Sequence, residues 1–250
     1  MSLSLRKPQP ILWITPIVLL LIAAKPQTQK IVAQGTAATQ KAVVQGTAAT
    51  QKAVIQAAQE VKQQVIDIWE GDENSLVAEA VGRAEGTRGS NGSKNQAYQG
   101  HTDPGNGVHN LGTFSYQGCP DGCAPEEADR RQLARLLKQA EVIYKQAGRK
   151  DNLNLVEIIN GLDLANQSPL AALDAKGFAG QLALSKKKGL KGYEAILDAR
   201  VNSFRGSSGA FEAPGLGNTL ADVRYDQGRR MDRIDDTIAA KKLTGKEQVK

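Results

Sequence analysis

Glu85 is the residue whose type and position point most directly to chemistry. It follows Val77 by eight positions and Val81 by four, so on a helix it projects from the same apolar face. It also directly precedes Gly86, a residue type that commonly ends helices, so it would lie at the negative end of the helix dipole. Partial burial and the dipole both disfavour a charged carboxylate, and a general acid must hold its proton. The alternative is a glutamate at the helix edge that simply reaches water.

A polar loop after this glutamate supplies further candidates. Residues 98–110 include His101, Asp103 and Asn106, and we predict that His101 and Asn106 contact a ligand. Asp103 is a candidate second carboxylate, but its Asp-Pro-Gly-Asn-Gly context is also strong turn chemistry. A calcium loop is a third interpretation, because Asp103 and Asn106 carry hard oxygen ligands.

The two cysteines and two histidines of the chain lie close together in sequence. A disulfide between Cys119 and Cys123 is favoured if the chain is exported, since disulfides persist in oxidising compartments. A zinc site with His101 and His109 is an alternative, although neither spacing is a usual metal signature. A cysteine peptidase is a further alternative, with Cys123 near a predicted helix start as its nucleophile.

The spacing of apolar residues predicts the elements that hold these side chains. A helix starts at Asn74 or Ser75 and ends at Gly86, and alternation at 112–117 predicts short strands or a hairpin. The clusters at 160–167 and 204–218 are polar enough to be cleft walls, although helix capping and turn formation also explain them. The fold class is therefore α+β and predominantly helical, over residues 70–241, followed by a polar tail at 242–250. Further helices are predicted to begin at Pro125, Asp151, Ser168–Pro169 and Asn218. Two more are predicted to span 176–187 and 191–204.

The segment around the candidate acid resembles the lysozyme superfamily. Ala84-Glu85-Gly86-Thr87 is similar to the end of the catalytic-glutamate helix of phage lambda-type endolysins, which also reads Glu-Gly-Thr. Gly112-Thr-Phe-Ser-Tyr-Gln117 resembles the Gly-x-Tyr-Gln or Gly-Leu-Met-Gln element that follows the hairpin in lysozymes and lytic transglycosylases. The order of helix, glutamate, small β element and helical lobe is similar too. The chain departs from the pattern in a longer Gly…Gln spacing and in the inserted cysteine pair.

This resemblance implies a lysozyme-like fold and a function for the site. Glu85 would be the general acid, Tyr116 and Gln117 would line a sugar cleft, and Thr87 would bind the substrate beside Glu85. Asp103 would stabilise an oxocarbenium-like transition state or position water. The implied substrate is the glycan strand of peptidoglycan, with no cofactor and no metal. Hydrolysis and a lytic transglycosylase route both stay open, and the alternative from another class is a non-catalytic wall-binding or scaffold protein.

The N-terminal 24 residues read as an export segment. Arg6 and Lys7 precede the apolar run 11–24, which as a helix would be about 21 Å long, short of a hydrocarbon core of roughly 30 Å. A cleaved signal peptide and a short membrane anchor both fit, and both place the rest of the chain outside the cytoplasm.

An internal repeat follows this segment. Residues 34–43 and 45–54 both read QGTAATQKAV, an offset of 11 residues. Eleven residues in three helical turns keep apolar positions on one stripe, which predicts a helical stalk over 25–69. The stripe needs a partner, either a second copy of the stalk or a membrane surface. The alternative is a flexible Gln/Ala/Thr-rich linker.

The charge distribution argues against nucleic acid as a partner. The chain has a net charge of +6, but residues 1–69 hold 7 basic and 2 acidic residues, whereas 70–250 hold 25 and 24. The predicted domain is therefore nearly neutral and lacks the basic surface of a nucleic-acid-binding protein.

Overall fold

The computed structural model describes residues 68–103, 106–119, 122–148 and 153–247, with side chains up to Lys241. The predicted signal or anchor and the predicted stalk up to residue 67 lie outside the described residues, as do the last three positions. Their proposed contacts with a membrane or with a second copy therefore stay predictions. In the part of the chain that is described, no helix is both long and apolar enough to cross a membrane.

The described chain is predominantly helical with one small antiparallel sheet, which confirms the α+β class. The sheet pairs β1 (His101–Thr102) with β2 (His109–Asn110), placing His101 opposite Asn110. Short 3-10 turns cover Asp72–Asn74 and Pro214–Leu216. The α-helices are α1 (Leu76–Glu85), α2 (Gln96–Gln99), α3 (Pro125–Ala147), α4 (Leu155–Gln167), α5 (Pro169–Leu173), α6 (Phe178–Lys187), α7 (Gly192–Asn202) and α8 (Leu220–Glu247).

Several helix ends follow directly from the sequence. The Ser75 hydroxyl accepts a hydrogen bond from the Ala78 amide at the start of α1, and Gly86 ends α1 with a left-handed backbone (φ 85°). Pro125 occupies the first turn of α3, as predicted.

Two of the predicted caps were wrong by one or a few residues. The cap of α4 is Asn154 rather than Asp151, because Asn154 and Glu157 form a reciprocal capping box. At the start of α8, the Thr219 hydroxyl accepts a hydrogen bond from the Asp222 amide. The Asn218 side chain instead bonds the amide of Ala213.

The boundaries of the folded unit are also wider than predicted. Ile68 is 1% exposed and its carbonyl accepts a hydrogen bond from the Val77 amide, so the unit includes residues before 70. At the other end α8 runs to Glu247, beyond the expected limit at 241.

The core is built where α1, α4 and α8 pack together, with α3 against α4. It consists mainly of aliphatic side chains, as the low aromatic content of 4% requires. This core fixes the end of α1, and therefore Glu85, against α4 and α8. Its fully buried members include Val77, Val81, Leu136, Ile143, Ile159, Leu162, Leu164, Met231 and Ile234.

Candidate functional site

Glu85 is the last residue of α1 and its side chain is 14% exposed. Its Oε1 atom accepts hydrogen bonds from Arg230 Nη2 at 2.6 Å and from Asn166 Nδ2 at 2.9 Å. Its Oε2 atom accepts none from the described residues. One oxygen is thus fixed to the protein, and the other is left for a molecule that enters from solvent.

A buried chain of charges lies behind Glu85. Arg230 also binds Asp163 with two nitrogens, at 2.7 and 2.9 Å, and Asp163 accepts a further bond from Arg200 at 2.6 Å. Asp163 and Arg200 are 0% exposed. Burial alone would raise the pKa of Asp163, but Arg230 and Arg200 outweigh it and lower that pKa. Burial likewise acts to lower the pKa of Arg230, and Asp163 and Glu85 raise it well above its usual value.

Amide side chains extend this network toward the surface. Gln227 accepts from Arg200 Nε at 2.7 Å and donates to Gln167 and to Asp226, at 2.8 and 2.9 Å. Gln227 is fully buried, whereas Asp226 pairs with the half-buried Arg229. The polar groups behind Glu85 therefore satisfy one another, as buried polar groups must.

Asn166 connects the glutamate to the turn that follows the sheet. Its Nδ2 atom donates both to Glu85 and to the Phe114 carbonyl, the latter at 3.1 Å, and its Oδ1 atom accepts from Gln132 at 2.7 Å. The glutamate and the Gly112–Gln117 segment, which resembled separate lysozyme elements in the sequence, are thus held side by side. Asn166 belongs to the polar cluster 160–167 noted in the sequence, although nothing local singled it out.

The segment 112–117 is a tight turn, so the predicted hairpin at these positions was wrong. The strands lie earlier in the chain, and within 112–117 only Tyr116 makes a bridge, to Leu111. Residues 111–114 are all buried, which excludes the inside–outside alternation of a strand. Gly112 and Ser115 have φ values of 73° and 52°, which turn the chain.

Asp129, a buried residue of α3, holds this turn in place. It is 0% exposed and accepts hydrogen bonds from the Thr113 amide at 2.6 Å and the Thr113 hydroxyl at 2.8 Å. Arg88 donates to the same hydroxyl through Nε and Nη2. Burial raises the pKa of Asp129 despite these hydrogen bonds.

Thr87 has a different role from the one expected. It is 0% exposed, and its hydroxyl lies 2.5 Å from the Thr113 carbonyl and 3.1 Å from the Gly82 carbonyl. Its side chain ties α1 to the turn and is not available to a ligand. The predicted substrate contact of Thr87 is therefore incompatible with its position.

Within the polar segment 98–110, residues 101–102 and 109–110 form the small sheet. His101 lies on β1, with its two ring nitrogens 3.2 Å from the Ala97 carbonyl and 3.4 Å from Asn110 Nδ2. The Asn106 side chain accepts from the Val108 amide at 2.9 Å, which is turn chemistry. The Asp103 amide donates to the Val108 carbonyl, so Asp103 closes the same turn. None of the contacts seen for these three residues reaches Glu85.

Tyr116 and Gln117 are the last two residues of the 112–117 turn. Tyr116 is half-buried, and the guanidinium of Arg135 lies 5.3 Å from the centre of its ring. Gln117 is exposed. Both side chains are accessible to a ligand, which is compatible with the predicted sugar contacts and leaves them predictions.

Cys119 and Cys123 form the expected disulfide. Because both sulfur atoms are bonded, neither is a thiolate ligand for zinc or a peptidase nucleophile. Among the described residues, no group of three His, Cys, Asp or Glu side chains is placed to hold a metal ion.

Comparison with protein-family models, with curated proteins and with solved structures finds no match for this chain.

The ionic partner of Glu85 was not predictable from the sequence. The apolar helix face and the helix end were visible in the residues around Glu85, but the guanidinium that contacts its carboxylate was not. That guanidinium belongs to Arg230, which lies 145 positions away in the chain. The partner could have been sought only among the basic residues of α8.

Proposed function

We propose that this protein is an exported enzyme that cleaves the glycan strand of peptidoglycan, with Glu85 as general acid. The observation that carries the proposal is the position of Glu85. One carboxylate oxygen is fixed by Arg230 and Asn166, and Asn166 also binds the turn that resembles the lysozyme Gly…Gln element. A fixed carboxyl group with one accessible oxygen, held to the turn that carries the half-buried Tyr116 and the exposed Gln117, suits proton donation to a glycosidic oxygen.

Within this proposal the protein supplies position and a proton, and needs no cofactor. Glu85 Oε2 protonates the leaving oxygen while Tyr116 and Gln117 contact neighbouring sugars. Asp103 would assist a hydrolytic route by positioning water. In a lytic transglycosylase route the N-acetyl group of the substrate would assist instead, so Asp103→Asn would have little effect on activity.

The second candidate is a wall-binding or scaffold protein that holds glycan strands without cutting them. The ion pair between Glu85 and Arg230 favours it, because a carboxylate bound to a buried guanidinium can have a purely structural role. The two candidates differ in one measurable property, which is cleavage.

The deciding experiment compares the activity of wild-type protein and Glu85→Gln on purified peptidoglycan. The amide keeps the shape and the bond to Arg230 but carries no acidic proton, so activity should fall about 10²–10⁴-fold. Glu79→Gln is a matched control, because Glu79 is also a partly exposed α1 glutamate paired with α8, through Lys241 at 2.9 Å. Full activity of Glu85→Gln would refute the mechanism. Binding without cleavage by the wild type would favour the scaffold.

Export is part of the proposal and rests on Arg6, Lys7 and the apolar run 11–24. Cell fractionation should place the folded unit outside the cytoplasm, in soluble form or held at the membrane. Full-length protein in the cytoplasmic fraction would contradict it.

A further inference from the structure

A groove of 980 Å³ lies between α7 and α8. Three of its side chains are unusually exposed for apolar or aromatic residues, since Tyr225 is 76%, Leu220 52% and Tyr193 37% exposed. The Tyr193 hydroxyl donates to Asp232 at 3.0 Å, which holds that ring in the wall. The groove thus offers aromatic and apolar surface to a ligand.

Guanidinium groups line the same groove. Arg224 pairs with Glu194 at 3.2 Å and Arg229 with Asp226 at 2.7 Å. Arg233 differs from both, because it has no carboxylate partner among the described residues. Its Nη1 atom donates only to two backbone carbonyls.

Three other arginines lie near Arg233, and each of them has a carboxylate partner of its own. Burial lowers the pKa of Arg233, and Arg229, Arg230 and Arg83 lower it further, with Asp226 acting in the opposite direction. An anion bound to Arg233 would give this guanidinium the partner that the other three already have.

The groove ends beside the proposed catalytic helix. The two carbonyls that Arg233 contacts belong to Arg83 and Ala84, at 3.2 and 3.4 Å, and Ala84 directly precedes Glu85. Arg230, which binds Glu85, lies between Arg229 and Arg233 on α8. Arg233 therefore both lines the groove and contacts the end of the helix that carries Glu85.

We propose that the groove binds the carboxylate-bearing stem peptides of peptidoglycan, with a free carboxylate on Arg233 and the peptide against Tyr193 and Tyr225. The identity of the ligand rests on the proposed function. Each glycan strand carries short peptides with free carboxylates, and planar guanidinium groups bind carboxylates well. The groove would thus make the protein prefer peptide-bearing strands over bare glycan.

The test measures binding of a soluble disaccharide-peptide to the full-length protein by calorimetry. This ligand contains no bond between successive disaccharides, so the proposed enzyme does not consume it. Three ligands are compared: the free-carboxylate form, the same molecule with its carboxylates amidated, and the disaccharide without peptide. The protein variants are Arg233→Gln, Tyr225→Ala and, as a charge-matched control, Arg130→Gln on the exposed face of α3.

Arg233→Gln should weaken binding of the free-carboxylate ligand by about tenfold or more, and binding of the amidated ligand little. Tyr225→Ala should weaken both peptide ligands, and because Tyr225 is exposed it should leave folding intact. Arg130→Gln should behave as wild type. Thermal unfolding of each variant checks that Arg233→Gln is folded.

Equal affinity for the free and amidated ligands, or equal effects of Arg233→Gln and Arg130→Gln, would overturn the groove proposal even if the protein cleaves peptidoglycan. Binding that depends on Arg233 in a protein that never cleaves would support the groove and refute the enzyme. The two proposals therefore fail separately.

Discussion

At the scale of single residues, the site depends on Arg230, because this one arginine is bound by two carboxylates. One guanidinium, 4% exposed at its side chain, binds the carboxylates of Glu85 and Asp163. Arg200 adds a second cation to Asp163, so the four charged groups balance. Such a buried ionic network stabilises a fold only while every partner is present, because a buried charge left alone is costly.

We therefore expect Arg230→Gln to destabilise the protein strongly. It would leave Asp163 with one cation in place of two and Glu85 without an ionic partner. Loss of one member of a buried pair typically costs about 3–5 kcal/mol, which should be visible in the free energy of unfolding measured with urea.

Arg229→Gln is the matched control for this change. Arg229 is the adjacent residue, but its side chain is 35% exposed and pairs with Asp226 three positions earlier. Exposed ion pairs of this kind contribute about 0–1 kcal/mol to the free energy of unfolding. If Arg230→Gln also cost less than about 1 kcal/mol, the ionic network would not be what holds Glu85.

The sequence predicted the features of these residues that depend on their neighbours in the chain. It did not predict the features that depend on contacts with distant residues. The spacing from Val77 and Val81 correctly placed Glu85 at the end of a helix and facing inward. The partners Arg230 and Asn166 lie 145 and 81 positions away, and no local pattern links them to Glu85. Thr87 was misjudged for the same reason, because its burial comes from contact with Thr113, 26 positions later.

At the scale of elements, α1 must lie very close to the Gly112–Gln117 turn. A Cβ atom added at Gly82, in the middle of α1, would lie 2.7 Å from Thr113 Cγ2 and 2.8 Å from Arg88 Cδ. Both neighbours are buried and hydrogen-bonded, so neither moves freely. The glycine therefore lets the turn approach the helix that carries Glu85.

Gly82→Ala should therefore destabilise the protein, although alanine favours helix by about 1 kcal/mol relative to glycine. Overpacking of this kind costs about 1–3 kcal/mol, which offsets or exceeds the gain. Thermal unfolding of the variant would measure the balance. A movement of the turn should also lower any activity that depends on Asn166.

Gly180→Ala in α6 provides the comparison. The nearest atom to its added Cβ is the Ala175 carbonyl oxygen at 3.7 Å, an ordinary contact. Only the helix preference then operates, so this variant should be more stable than wild type by up to about 1 kcal/mol. Equal effects of the two substitutions would show that the approach of the turn does not constrain Gly82.

Helix ends were more predictable than strands, for a physical reason. Caps such as Ser75 and Gly86 act within one turn of the chain, so their residue types are visible in sequence. The alternation at 112–117 predicted strands, but the turn is held by Asp129 from α3 and by Asn166 from α4. Tertiary contacts of that kind override local strand preference.

At the scale of the whole molecule, buried carboxylates should make stability depend on pH in two opposing ways. The pKa of Asp163 is lowered because Arg230 and Arg200 outweigh the effect of burial, whereas burial raises the pKa of Asp129. A group with a lowered pKa stabilises the fold when it is ionised, and a group with a raised pKa stabilises it when protonated.

For Asp163, stabilisation is complete above the unfolded pKa of about 4 and is lost as pH falls through the lower pKa of the folded state. Asp129 acts in the opposite direction, since the folded protein binds its proton more tightly than the unfolded chain does. Between about pH 4 and the raised pKa of Asp129, its contribution to stability decreases as pH rises.

Two variants should separate these contributions in urea unfolding measured from about pH 3 to pH 7. Asp163→Asn should be less stable than wild type at neutral pH, and it should lose less stability on acidification because the carboxylate that protonates is gone. In the wild type, Asp129 should lower the free energy of unfolding as pH rises above about 4. Asp129→Asn should lack this decrease, because an amide does not titrate. In both comparisons the informative quantity is the slope against pH, which is independent of any constant packing cost of the substitution. Parallel curves for wild type and Asp163→Asn would mean that the ionised carboxylate is not what the two arginines stabilise, and the network behind Glu85 would then have to be held by its neutral hydrogen bonds.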